Sequence, residues 1–191
     1  DSATLGYYNR AYSFPDIVAN NLATTISTVM LSAFSSEQDD LIKIHDMLSR
    51  TIKTSTFFMF PVLFGIAIVA KPLVQILLTE KWLPCVPYLQ LSCILFAFVP
   101  FHIFYQAINS VGKSHIFLKF EIIKKTITVV TLIITVPISI EAMLIGQIIS
   151  EIIATLLNAC ANRYFFSYSF NEQFNDILPS LLLSLTMCLI I

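Results

Sequence analysis

Polar side chains recur within an uncharged stretch: Asn21, Thr24 or Thr25, Thr28 and Ser32, with Asn20 adjacent. At three-to-four-residue spacing they form one stripe along a helix. Amides and hydroxyls of this kind do hydrogen-bonding chemistry. Inside a membrane bundle such a stripe either glues helices together or faces a water-filled cavity. Adjacent Asn20 and Asn21 favour the cavity, because so many amide donors and acceptors are hard to satisfy at once in a dry seam. Two ionisable groups interrupt other apolar runs. Glu151 stands near the middle of one, and His102 follows Pro100 by two residues in another. Ionisable groups are expensive at membrane depth, so each is either a paired structural group or a proton- or cation-coupling site. Glu121 and Lys125 stand four apart with the acid first, the favoured order for a helical pair, and Lys124 lies beside them. They read either as a helix start with snorkelling lysines or as a contact of Lys124 and Lys125 with anionic head groups at the inner face.

The three histidines, His45, His102 and His115, are far apart in sequence, and neither H-E-x-x-H, G-x-S-x-G nor a Gly-rich phosphate loop occurs. We therefore expect no enzyme, no metal and no cofactor. The four cysteines, Cys85, Cys93, Cys160 and Cys188, lack C-x-x-C spacing and read as small packing residues. A net charge of -1 excludes a general polyanion-binding surface, so nucleic acid is not an expected partner.

The elements that must position these groups are membrane helices. Uncharged gaps of 20 residues follow Asp16, 17 follow Lys53 and 31 follow Lys81. A helix needs about 20 mostly apolar residues to cross a bilayer, and the chain is 57% hydrophobic and 12% charged with a mean hydropathy of +0.80. We expect an all-α, polytopic transmembrane bundle of about six spans, near 15–35, 53–72, 87–110, 117–139, 142–161 and 176 onward. Without alternating apolar and polar positions, a barrel is not indicated. The linker from Asp39 to Lys53 should be helical, with Leu41, Ile44, Leu48 and Ile52 on one face behind the Asp39–Asp40 pair, and should run into the second span. Pro61, Gly65 and Lys71-Pro72 should bend or break that span, leaving Leu73 to Thr79 as a separate piece.

If spans alternate, linkers 36–52, 111–125 and 162–175 share one side. They hold Lys43, Arg50, Lys113, Lys119, Lys124, Lys125 and Arg163, with Lys53 at the edge, against Arg10, Lys71 and Lys81 opposite. The positive-inside rule makes the first side cytoplasmic. Tyr7, Tyr8, Tyr12, Trp82 and Tyr88 then mark the outer interface, and Tyr164, Phe165, Phe166, Tyr168 and Phe170 the inner one. The chain opens on Asp1 without an initiator Met and stops inside an apolar run, so it reads as a piece of a longer protein.

Four stretches in order, LGYYNRAYSFPDIVANN (Leu5 to Asn21), AKPLVQILLTEKWLPCVPYLQ (Ala70 to Gln90), QAINSVGKSHIFLKFEIIKK (Gln106 to Lys125) and EQFNDILPSLLLS (Glu172 to Ser184), resemble the Wzx-type oligosaccharide flippases of polysaccharide biosynthesis. These belong to the superfamily that also holds multidrug extrusion transporters. The resemblance implies two six-helix lobes around an alternately opening cavity. Residues 1–191 would be most of the C-terminal lobe, and the N-terminal lobe would be absent from this chain. It implies an undecaprenyl-diphosphate-linked oligosaccharide as cargo in the bacterial inner membrane, with membrane lipids and the missing lobe as partners. It also places Asn20, Asn21, Thr25, Thr28 and Ser32 on the cavity border, with Arg10 at the outer mouth. Glu151 matches no motif of that family. The alternatives are drug or cation extrusion by the same architecture or, from another class, a membrane-bound polymerase or acyltransferase, which would need a large loop with His or Arg clusters.

Overall fold

The computed structural model describes residues 2–112 and 114–190. Lys113 lies outside the described residues, and so does the side chain of His115. Helices α1 (Ser2–Ser36), α2 (Leu41–Ile68) and α3 (Ala70–Leu78) come first, then a 3₁₀ turn (Glu80–Cys85) and α4 (Val86–Phe96). A second 3₁₀ turn (Val99–Ile103) leads into α5 (Phe104–Ser110), α6 (Ser114–Thr135), α7 (Ile140–Phe166) and α8 (Phe170–Ile190). By length and composition five elements can cross a membrane: Ala3–Ser36, Leu41–Ile68, Glu80–Ser110, Ile140–Phe166 and Phe170–Ile190. The fourth expected span, over α6, is not among them, because Lys119, Glu121, Lys124 and Lys125 fall within that helix. Large apolar side chains face outward all round, among them Ile76, Ile133, Leu156 and Leu182. Lipid accommodates that surface, whereas water does not. The chain is a multi-pass, all-helical membrane protein.

The linker helix forms as its sequence indicates. The Asp40 carboxylate caps α2 by accepting hydrogen bonds from the Ile42 and Lys43 backbone N–H groups, at 3.2 and 3.1 Å. Ile44, Leu48 and Ile52 are buried on one face, while Leu41 stays exposed. Helix α2 runs through Pro61 and Gly65 without a break and yields only at Val69, after which Pro72 sits in the first turn of α3, where its missing N–H costs nothing.

Two core clusters mark the two ends. One gathers Ala11, Met59, Leu63, Val74, Cys85, Leu89 and Phe96, with Tyr7 edge-on to Trp82 at 5.7 Å. The other gathers Phe34, Ile44, Leu48, Phe104, Ile108, Phe166 and Tyr168. The ends of the three basic linkers therefore converge, as alternating spans require. Within that end, Phe166 and Tyr168 are core residues instead of interface aromatics: Tyr168 is fully buried and donates its hydroxyl to Asp176 at 2.6 Å. Cys85 and Cys93 pack in the cluster with Met59 and Leu63, whereas Cys160 is exposed.

Small residues bring the helices close. On α7, Gly146, Ser150, Ala154 and Asn158 share one buried face, and Ser150 donates to the Thr131 hydroxyl of α6 at 3.1 Å. A Cβ on Gly146 would meet the Thr131 and Thr135 methyls at 2.8 Å. Gly146→Val should accordingly weaken α6–α7 docking by about 1–3 kcal/mol, read as a lowered unfolding midpoint in detergent. Gly65→Ala should be nearly neutral, since its Cβ would lie at an ordinary 3.5 Å from the Met187 methyl.

Candidate functional site

The site is organised by a broken helix. The third apolar segment, expected as one helix over 87–110, is interrupted because Pro100 has no N–H to donate and its ring crowds the preceding turn. Backbone bonding shifts from i−4 to i−3: Phe98 N–H reaches Leu95 O at 3.3 Å, and Phe101 N–H reaches Phe98 O at 3.1 Å. The resulting 3₁₀ turn carries His102 into the space between α1, α2 and α7.

On its α1 side this space is a cavity of about 460 Å³, walled by Asn20, Thr24 and Ser27 of α1, Ser55 and Met59 of α2, and the Val99–Ile103 turn. That volume lies within the range of small-ligand sites. The buried face of α1 follows Ala11, Pro15, Ala19 and Phe34, and the opposite face carries the polar stripe. Asn20 donates to the Asp16 carboxylate at 2.7 Å. Thr25 and Thr28 donate to carbonyls one turn back at 2.8 Å, Ser32 to Val29 O at 2.8 Å, and Thr24 to Asn20 O. Hydroxyl donors are thus satisfied within the helix, and their oxygens remain available as acceptors.

The stripe divides. Asn20 enters the His102 cavity, whereas Thr25 lines a mostly apolar cleft of about 310 Å³ with Arg50 and Thr54. Asn21, Thr28 and Ser32 are exposed on the outward face of α1. Arg10 is exposed with its guanidinium 5.8 Å from the centre of the Phe14 ring, and does not join the cavity.

The two isolated ionisable groups meet. His102 Nε2 lies 3.1 Å from Glu151 Oε2. Behind them a second group closes around Lys124, which is 6% exposed and therefore points inward, while Lys125 is exposed. Lys124 pairs with Glu121 at i,i+3, in place of the expected i,i+4 pair to Lys125. It also donates to the Tyr105 hydroxyl and, at 3.4 Å, to Asn158 Oδ1. The sequence alone does not single out Tyr105, Ser27 or Ser55. The available signal was Pro100, which predicts a turn where a side chain can reach a cavity.

Residues 1–87 match the family profile described as polysaccharide biosynthesis protein. Over 90 residues the chain is 32% identical to a membrane protein in the cps region of Klebsiella pneumoniae, covering 47% of this chain and 19% of that protein. Over 90 residues it is 31% identical to the lipopolysaccharide biosynthesis protein WzxC of Escherichia coli strain K12, covering 47% of this chain and 18% of that one. The chain thus matches about a fifth of the length of these curated relatives. No solved structure matches significantly. The profile covers α1 and its stripe, and His102, Lys124 and Glu151 lie beyond it. The chain is a multi-pass membrane protein whose first 87 residues are similar to polysaccharide biosynthesis proteins, the Wzx-type protein WzxC among them.

Proposed function

We propose that the protein translocates an undecaprenyl-diphosphate-linked oligosaccharide across the bacterial inner membrane by alternating access, with this chain as part of the C-terminal lobe of a two-lobed transporter. The observation that carries this reading is the face of α1 bearing Asn20, Asn21, Thr24, Thr25, Thr28 and Ser32: it is exposed and rich in amides and hydroxyls, with Ile17 and Leu31 among them, while the opposite face of the same helix is buried in the bundle. Such a face is costly against hydrocarbon, so in the membrane it borders water or a second lobe. Uncharged amides and hydroxyl acceptors suit the hydroxyl-rich surface of a sugar chain. The N-terminal lobe and the lipid-linked sugar are its partners in this reading. The basic linkers face the cytoplasm, which sets the direction as inner to outer leaflet. Opening to either side follows from rocking of one lobe against the other.

Substrate protection tests the reading. In a Cys-free version of the intact protein, Thr28→Cys and Asn21→Cys should react with a soluble thiol reagent, and Leu156→Cys, on an outward apolar face, should react poorly. Added lipid-linked oligosaccharide should slow the first two reactions about tenfold, which corresponds to ~1.4 kcal/mol of occupancy. Equal reactivity at all three positions, or no protection, would remove the basis for the proposal.

A further inference from the structure

His102 is shared by three cavities: the one beside α1, one of about 250 Å³ beside α4 and α7, and one of about 130 Å³ against α6. Its side chain is 38% exposed and that of Glu151 31%, so water in those cavities reaches both. Among the described residues, the charged or titratable groups facing the pair are few. Tyr12 of α1 enters the middle cavity, and one turn further along that helix Asp16 is held by Asn20. Helix α4 contributes only Leu95 and Phe96 there. Tyr105 of α5 and Glu121, Lys124 and Lys125 of α6 line the smallest cavity.

Glu121 and Lys124 cancel each other in their ion pair. Counting Lys125 and Asp16 as well, the charged groups around a neutral imidazole sum to one negative charge, which a single added proton removes. The incoming proton adds to the imidazole, the Nε2–H bond to the carboxylate becomes charge-assisted, and nothing leaves the site. A metal cation fits poorly. It needs several oxygen ligands at short range, the contact here is nitrogen to oxygen at 3.1 Å, and no group of three His, Cys, Asp or Glu assembles among the described residues.

We propose that the His102–Glu151 pair is a binding site for one proton, open to the cavity beside the α1 stripe. Proton occupancy sets the charge of that cavity wall and of the seam between α5, α6 and α7. The proposal does not depend on the identity of the cargo.

Proton counting tests it directly. Between about pH 8 and pH 5, where imidazoles exchange protons, the intact protein in detergent should take up about one proton more per chain than the His102→Gln, Glu151→Gln double variant. Lys71→Gln, on the exposed start of α3 and outside all three cavities, should match the unaltered protein. A difference of zero overturns the proposal, and so does uptake that is the same in Glu151→Gln as in the unaltered protein, since the proton would then belong to the imidazole alone. So does uptake that falls when sodium replaces choline at equal ionic strength, since the site would then hold a metal cation. If the double variant does not fold, an intact protein in which every histidine other than His102 is replaced by Gln leaves His102 as the sole imidazole, and its ring nitrogen signals should change across the same range. Signals that stay constant overturn the proposal equally.

Discussion

Lys124→Ala should lower stability by about 3–5 kcal/mol, because it removes one partner of an ion pair that is largely buried and leaves the other charge uncompensated. The ammonium is 6% exposed and the Glu121 side chain 23%, so water cannot readily replace the lost charge. Tyr105 and Asn158 lose a donor in the same step. Denaturation of the purified protein in mixed detergent measures the loss. A paired replacement discriminates the mechanism: Lys124→Met with Glu121→Gln should be less damaging than Lys124→Met alone, since no bare charge remains. Equal damage would mean that packing, not charge, holds α6 against α5 and α7.

Asp176→Ala should cost about 2–4 kcal/mol through its buried partners. The carboxylate accepts hydrogen bonds from Ser49 and Tyr168 and pairs with Lys53 at 3.0 Å. This ties the α7–α8 turn to the inner half of α2, within the seam that α2 and α8 also join through the Thr56–Ser180 contact at 3.3 Å. Tyr168 is fully buried, so its hydroxyl would lose its acceptor without gaining water. Lys53 is 54% exposed and can turn to solvent, which keeps the cost below that at Lys124. Glu172→Ala provides the contrast: the Glu172 carboxylate is exposed to solvent, and the loss should be far smaller than at Asp176. The same detergent unfolding midpoint reads both variants. A Glu172→Ala effect as large as that of Asp176→Ala would contradict the assignment of the seam to Asp176.

The sequence reports whatever has a one-dimensional signature. Uncharged run lengths locate the helices, and the Asp40 cap with Ile44, Leu48 and Ile52 specifies the linker helix, because capping and amphipathic spacing are local properties. Alternation of the basic linkers likewise appears as a common end of the bundle. The site is less legible, because its partners are far apart in sequence. His102 and Glu151 each stand out as ionisable groups in apolar runs, yet their 49-residue separation conceals that they touch. Lys124 has the spacing of a snorkelling lysine, and only the docking of α6 on α5 and α7 turns it inward to Tyr105 and Asn158. Pro61 and Pro100 show why proline alone does not locate a break: α2 tolerates the first, whereas the second opens a 3₁₀ turn where a cavity adjoins the helix.

The central claim is that a lipid-linked sugar crosses the membrane beside the α1 stripe. Its most direct measurement is transfer of a fluorescent polyprenyl-diphosphate-linked oligosaccharide between leaflets of liposomes containing the intact protein. We expect transfer that depends on the protein and slows about tenfold or more when Asn20→Leu and Thr24→Val remove amide and hydroxyl from the cavity wall, a loss of at least ~1.4 kcal/mol in the rate-limiting barrier. Absence of transfer by the folded protein, or an unchanged rate in the folded double variant, would contradict the account.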